Sequence, residues 1–425
     1  MKSFTGDTMV TLIPLIVLII VFLLIAVRRV GSVNLRIWQV MLLGAAVVLA
    51  TGTITPLDAL VSINIDVMLF LFFMFVLGEA LASSGYLHHL SFCLFSRAGS
   101  VRHLIIFILV GAGILSAFLM NDTLAVVGTP LMLYFARRHD ISPKLLLLTL
   151  AFAITTGSVA SPIGNPQNLL IALTGDVANP FITFPLYLAV PTAVSLLIAY
   201  IFLSRAFPDE FRSIIPLAHH REAILDPALA ALARLSLILL VLMIAVRIIA
   251  VTLIPGLDIP LTWIAAVAAA PILAGSRRRF EILRRIDWPT LAFFVGLFIL
   301  MASVWQSGFF QPIIEGGSLD LDAIPVIIAT GIVISQFISN VPFVALFLPA
   351  LSQSGISTAG LMALAAGSTI AGNMLILGAA SNVIIVQSAE KEGETLTFGE
   401  FARIGVPLTL AQAVVYMIWL SLIPA

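Results

Sequence analysis

The chain has 425 residues, of which 61% are hydrophobic and only 10% charged, and its 21 basic and 21 acidic side chains cancel. A water-soluble globule cannot be covered with so little polar surface, the charge balance leaves no nucleic-acid footprint, and the single Cys93 cannot form an internal disulfide. A polytopic, all-α membrane protein remains.

The first apolar run, Thr11 to Val27, follows a weak basic region with one lysine, Lys2, and is followed by Arg28 and Arg29. That order reads as a retained first span, not a cleaved signal, with its C-terminal end in the cytoplasm. Apolar segments then recur at 37–54, 67–84, 104–120, 122–136, 145–160, 166–174, 186–204, 235–254, 261–275, 289–306, 324–340, 341–351, 361–376, 378–389 and 406–424. A spanning helix needs about 20 apolar residues, and several of these are too short. The short ones come as adjacent pairs split by Asn, Pro or Gly. The expectation is therefore two re-entrant hairpins, 104–136 and 324–351, and two interrupted crossings, 145–174 and 361–389. Arms of roughly 15 residues reach only about 22 Å against a ~30 Å hydrocarbon core, which favours re-entrant hairpins over pairs of full spans.

Ten crossings plus two hairpins put every Lys and Arg except Lys2 and Arg247 on the cytoplasmic side. The outer loops then hold Asp58, Asp176, Asp258, Glu315, Asp320 and Asp322. This asymmetry orients the chain with both termini outside a bacterial inner membrane. The segment 205–234 is expected to be a polar cytoplasmic linker carrying an amphipathic surface helix, and Arg277 to Arg285 a basic patch against anionic headgroups.

The two halves match. Ile65-Asp66 and Ser84-Gly85-Tyr86 correspond to Ile286-Asp287 and Ser307-Gly308-Phe309, at offsets of 221 and 223. Ser116 to Asn121 corresponds to Ser335 to Asn340 at 219, and Gly164-x-x-x-Asn168 to Gly378-x-x-x-Asn382 at 214. Repeat 1 is 1–204 and repeat 2 is 235–425. With five crossings each, an odd number, the second must be inverted, which is the sequence signature of a secondary transporter with its site at the repeat interface.

Polar groups fall where hydrocarbon is expected: Asn121-Asp122-Thr123, Ser161 to Asn168, Ser339-Asn340-Val341-Pro342, and Gly378 to Asn382. Non-helical backbone at that depth persists only against protein or a water-filled cavity. The expected solute- and ion-binding residues are Ser116, Asn121, Asp122, Thr123, Gly164, Asn165, Gln167, Asn168, Ser335, Ser339, Asn340, Gly378, Ser381 and Asn382. Each Asn or Ser could equally serve as interhelical glue. Asp122 is the sharpest of them, an ionisable group at a hairpin tip that could carry a proton, cap its helix, or both. Its repeat partner is Val341, so any coupling is one-sided. Glu79 reads as an interfacial carboxylate and Arg247 as a snorkelling or counter-ion residue. His88, His89, His103, His139, His219 and His220 fall in loops, so no metal site or cofactor is expected.

At these motifs the sequence resembles the ion transporter superfamily, which includes arsenite efflux permeases, dicarboxylate/sodium symporters, citrate–metal transporters and sodium/proton antiporters. Met120-Asn121-Asp122 and Ser339-Asn340-Val341 fall where the dicarboxylate branch has Ser-Asn-Thr at each hairpin tip. Gly164 to Asn168 and Gly378 to Asn382 fall on that branch's helix breaks. Phe-Leu-Met-Asn-Asp-Thr-Leu-Ala is similar to arsenite permeases and the anion-permease branch, and Pro-Ile-Gly-Asn-Pro-Gln-Asn is most similar to the latter. The resemblance implies an elevator-like transport domain of hairpins and interrupted helices moving against a scaffold. Loss of the tip hydroxyls weakens a two-sodium site, and Asp122 points to proton coupling.

The expected function is proton-coupled efflux of arsenite or antimonite, by a protein that is not an enzyme. The alternatives are a permease for another small anion such as a dicarboxylate, or a sodium/proton antiporter. The coupling ion is H+ or Na+. Expected partners are membrane lipid, the small solute or anion, and a second copy in a homodimer; a cytoplasmic ATPase or regulator stays open, and nucleic acid is excluded.

Overall fold

The computed structural model describes residues 6–27, 29–30, 33–34, 36–87, 89–90, 98–212, 224–254, 259–309, 323–353 and 355–423. The middle of the 205–234 linker, the acidic loop holding Glu315, Asp320 and Asp322, and also Arg28, His88, Cys93, Arg97, His219, His220 and Asp258 lie outside the described residues.

The described chain is helical apart from one antiparallel ribbon pairing Arg29–Val30 with Val33–Asn34. Seven helices are long and apolar enough to cross a membrane, among them Ile65–Ser83, Pro180–Ala206, Pro227–Leu253 and Phe398–Leu422, and five shorter apolar helices accompany them. Local chemistry sets their ends. Ser100, Asn165, Asp226 and Thr397 each accept a backbone N–H three residues on, and Thr397 with Glu400 completes a capping box. Helices Ile65–Ser83 and Trp288–Gln306 are both followed by a glycine in the left-handed region, Gly85 at φ 75° and Gly308 at φ 73°, where a side chain would be strained. These are the matched Ser-Gly-aromatic triplets of the sequence.

The helix contacts recur with the halves exchanged. Ile37–Ala50 packs along Trp288–Gln306, and Leu261–Gly275 along Ile65–Ser83. The short helix Pro56–Ser62 lies on Trp288–Gln306, and the short helix Arg279–Arg285 on Ile65–Ser83. Hairpin arm Val101–Phe118 packs on Pro143–Ser158, and Ile324–Ile338 on Thr358–Ile370. The return arm Asn121–His139 meets Ala380–Lys391, while Asn340–Gln353 meets Pro166–Thr174. Pro180–Ala206 and Phe398–Leu422 pack on each other.

Several lengths depart from expectation. The first hairpin's arms have 18 and 19 residues, nearer a full bilayer crossing than the 15 assumed, because Arg102, Arg137, Arg138 and His139 continue the helices instead of ending them. The second hairpin's arms have 15 and 14. Arg234 sits inside helix Pro227–Leu253, which starts at its proline after the Asp226 cap. Helix Pro56–Ser62, with Leu57, Leu60 and Val61 exposed, has the character of an interfacial helix whose apolar face lies in the membrane surface. The basic patch is partly self-neutralised: Arg278 pairs with Asp226 at 3.0 Å and Glu281 at 2.8 Å, and Arg285 with Glu281 at 2.9 Å.

Candidate solute-binding site

Four helices start at one place. They are the return arm at Asn121, the segment after the first break at Pro166, the second return arm at Asn340, and the segment after the second break at Ala380. Each helix start leaves backbone N–H groups without helical partners and carries the positive end of its dipole. Between them lies a cavity of about 70 Å³, lined from the hairpin tips by Asn121, Asp122, Ser339 and Asn340 and from the breaks by Asn165, Gln167 and Ser381. Thr155 and Thr369 complete its polar wall. No lysine or arginine lines it. At roughly 30 Å³ of liquid volume per water, it holds about two waters or a solute of a few heavy atoms.

The breaks are held open by asparagine. Asn168 Nδ2 donates to the carbonyls of Ser158, Val159 and Ser161 at 3.1, 3.2 and 3.0 Å. Asn382 Nδ2 donates to the carbonyl of Gly372 at 2.6 Å. The first tip is seated on the first break, with Asn121 N on the Gly164 carbonyl at 3.3 Å and the Asn121 side-chain amide 3.1 Å from Ser158 Oγ. Gly164 permits this contact, since a Cβ there would lie 2.4 Å from the Ser116 carbonyl. A Cβ on Gly378 would lie 2.6 Å from the Ala371 carbonyl.

Thr369 ties the halves together. Its hydroxyl donates to Asn168 Oδ1 at 3.2 Å and accepts from Asn165 and Gln167 at 3.4 and 3.3 Å. Behind the cavity, Asn373 Nδ2 donates to Thr156 Oγ1 and Gln412 Oε1, both at 2.9 Å, and Gln412 Nε2 donates to Thr156 Oγ1 at 3.1 Å. Around these closed networks, Thr155 Oγ1, Gln336 Oε1, Asn340 Oδ1 and Asn382 Oδ1 are buried without a hydrogen-bond partner among the described residues. Buried polar atoms are nearly always satisfied, so such a cluster marks where a ligand or water completes the structure. Ser339 adds backbone strain at the second tip, with φ 71° and ψ 160°, a region that only glycine occupies freely.

Of the residues expected from sequence, Asn121, Asp122, Asn165, Gln167, Ser339, Asn340 and Ser381 line the cavity. Asn168, Asn382, Gly164 and Gly378 shape the breaks. Ser116 bonds its own helix at the Gly113 carbonyl, 2.8 Å away, and Ser335 is buried in the matching arm. Thr123 faces helix Ile65–Ser83, where a Cβ on Gly78 would lie 2.6 Å from its Oγ1. Asp122 also lines a second, wider cavity of about 400 Å³ with Thr123, Glu79, Arg285 and Asp287. Across the molecule, a cavity of about 350 Å³ is mostly apolar, walled by Phe298, Met301, Trp305 and Leu346. Glu79 accepts a bond from Ser83 Oγ. Arg247 is buried with its guanidinium 5.7 Å over the Phe181 ring. Among the described residues no cluster of His, Cys, Asp and Glu could hold a metal ion.

Sequence reasoning passed over Thr155 and Thr369. Both sit in apolar runs where a threonine looks ordinary. Their separation of 214 is that of Asn168 and Asn382, and this offset is the signal that could have found them.

A sequence model described as citrate transporter matches residues 16–360. An uncharacterized transporter of Mycobacterium tuberculosis is 28% identical over 96% of this chain and 98% of its own length. The mouse P protein is 24% identical over 84% of this chain, which spans 54% of that longer protein. Among solved structures, the YdaH transporter of Alcanivorax borkumensis shares the fold with a TM-score of 0.58 over 98% of both chains, at 14% identity.

Proposed function

The chain belongs to the citrate transporter family of the ion transporter superfamily and is a multi-pass membrane transporter, and from that premise we propose that it is a proton-coupled secondary transporter of a small oxo acid, arsenite or antimonite, working in the efflux direction. The observation that carries this reading is the position of Asp122. It is the one carboxylate on a small cavity of amides, hydroxyls and helix starts, and it also lines the wide cavity that opens beside Arg285 and Asp287. A carboxylate shared between a solute cavity and a polar vestibule can exchange a proton with water on one side and answer to the solute on the other. A neutral trivalent oxo acid suits a wall without cationic side chains, and it suits the volume. The packing that recurs with the halves exchanged supports two inverted repeats, 1–204 and 235–425, with the hairpins and interrupted helices moving as an elevator against the remaining spans.

Two observations favour a second reading, transport of a carboxylate anion such as a dicarboxylate. One is the family description, and the other is the convergence of four positive helix ends. The unpartnered oxygens of Gln336, Asn340 and Asn382 favour sodium as the other coupling ion to test, since hard cations take oxygen ligands.

Everted membrane vesicles separate these readings. An imposed proton gradient should drive arsenite or antimonite uptake by the wild type, and Asp122→Asn should abolish that uptake while leaving expression intact. Wild-type transport by Asp122→Asn removes the proton role. Citrate or dicarboxylate uptake without arsenite uptake transfers the assignment to the second reading, and a strict sodium requirement replaces the coupling ion.

A further inference from the structure

Beyond the solute site, we infer that the groove between the outgoing arm of the first hairpin and helix Pro180–Ala206 is a binding site for one anionic phospholipid, with an acyl chain in the groove and the phosphate at its basic end. The groove has a volume of about 520 Å³. One wall is Ile106, Val110 and Ile114, and the other is Ala189, Ala193 and Leu197. Its floor exists because two backbones touch: a Cβ on Gly157 would lie 2.3 Å from Gly113 Cα. Of the two hydroxyl-bearing residues in its lining, Thr192 is already paired through Oγ1 with Tyr416 OH at 2.7 Å and Tyr200 lies toward the mouth, so the body of the groove presents an apolar surface. Ile106, Val110, Ile114, Val190 and Leu197 are exposed, which leaves this face open to whatever fills the bilayer.

Length and charge select the occupant. From Ile106 to Ala117 the arm rises about 16 Å at 1.5 Å per residue, which is about half of a ~30 Å hydrocarbon core, the depth of a single leaflet. The basic end carries Arg102, on the same helix face as Ile106, Val110 and Ala117. Arg102 lies one turn beyond Ile106, and its Nε donates to the Phe211 carbonyl at 2.6 Å. That bond holds the guanidinium at the mouth, with its terminal nitrogens unengaged among the described residues. Arg205 is exposed in the last turn of Pro180–Ala206, on the helix face turned away from Ala189, Ala193 and Tyr200, which line the groove. Tyr200, on the groove wall, packs edge-on against Phe211 with ring centroids 5.5 Å apart, so Arg102 and an interfacial aromatic share one mouth. A fixed cation above a leaflet-deep apolar slot matches a phosphate above an acyl chain.

Native mass spectrometry of the full-length protein in detergent, with phosphatidylglycerol or phosphatidylcholine of identical chains, tests the site. Wild type should retain phosphatidylglycerol preferentially. Arg102→Gln should weaken that retention about fivefold, as one interfacial cation would, while Arg102→Lys should keep it and Arg205→Gln, on the face turned away from the groove, should leave it unchanged. Ala193→Phe, which fills the groove at an exposed position, should lose both lipids. Arg205→Gln therefore controls for the loss of a surface charge off the groove. Equal retention of the two lipids with no effect of Arg102→Gln overturns the proposal. So does a wild-type dimer that Ala193→Phe turns into a monomer with phosphatidylglycerol retention unchanged, which assigns the face to a second copy.

Discussion

Asn168 and Asn382 make the same bond in the two halves of the chain: each side-chain amide donates to the carbonyl ten residues earlier, Ser158 for one and Gly372 for the other. The bond spans the break and holds the two ends of an interrupted helix at a fixed separation. It substitutes a side-chain donor for the helical N–H groups that the break removes.

The two staples are not equal. Asn168 satisfies three buried carbonyls and Asn382 one. Asn168→Ala should therefore cost roughly 3 kcal/mol, and Asn382→Ala about 1 kcal/mol, from carbonyls left unsatisfied. Thermal unfolding of the purified variants should rank them in that order.

The crossing of the first hairpin arm and the first interrupted helix depends on one glycine more than its neighbour. A Cβ on Gly157 meets backbone at 2.3 Å, whereas a Cβ on Gly113 meets nothing closer than 3.5 Å. Gly157→Ala should cost about 3 kcal/mol or prevent accumulation, and Gly113→Ala should fold with nearly wild-type Tm.

The matched threonines should part ways. Thr155→Ala removes a hydroxyl with no partner among the described residues, so stability should hold while solute affinity falls about fivefold, the worth of one hydrogen bond. Thr369→Ala removes the link among Asn165, Gln167 and Asn168, and should lower Tm. Solute-dependent thermal shift on both variants reads the two effects together.

Ser339→Gly should raise Tm, since the backbone geometry of Ser339 costs a residue with a Cβ about 1 kcal/mol or more. A fall in transport alongside that rise would place the strain in the service of the second hairpin tip. An unchanged Tm means that the tip relaxes without it.

At the end of the linker, the Leu229 N–H first and then Arg278 hold the Asp226 carboxyl below the usual carboxylate range. A depressed carboxylate stabilises the fold at neutral pH, and that contribution is lost as pH falls through its lowered value. Protection against hydrogen exchange at Leu225 and Asp226, whose amides bond the Ser84 carbonyl, measured relative to intrinsic rates, should therefore fall as the pH drops through the lowered Asp226 value, and in Asp226→Ala it should be low at every pH.

Much of this arrangement was legible in the sequence where residue chemistry is unusual for its surroundings. Pro162, Gly164 and Pro166 announce the first break, and the two hairpin tips show as asparagines in apolar runs. The second break was harder to bound, because Ala371 to Gly378 is mostly apolar and gives way to 3₁₀ turns without a proline. Apolar run length falls short of arm length because Arg137, Arg138 and His139 extend the return arm at its C-terminus, where basic residues are favourable. Helix Pro56–Ser62 went unread despite its Thr55 cap and first-position proline, since seven residues carry no periodic signal. Cross-half partners such as Thr369 with Asn168 depend on tertiary contact, and spacing along the chain does not encode them.

The two large cavities are unlike doors. A traveller at Asp122 meets a corridor with three carboxylates and one arginine on one side, while the opposite face offers Phe298, Met301 and Trp305. The first corridor presents charge and the second mainly apolar side chains, so a charged cargo and a neutral one face different tolls on the way out. That imbalance sets how fast each cargo exchanges on each side, while the direction of net flux follows the gradients.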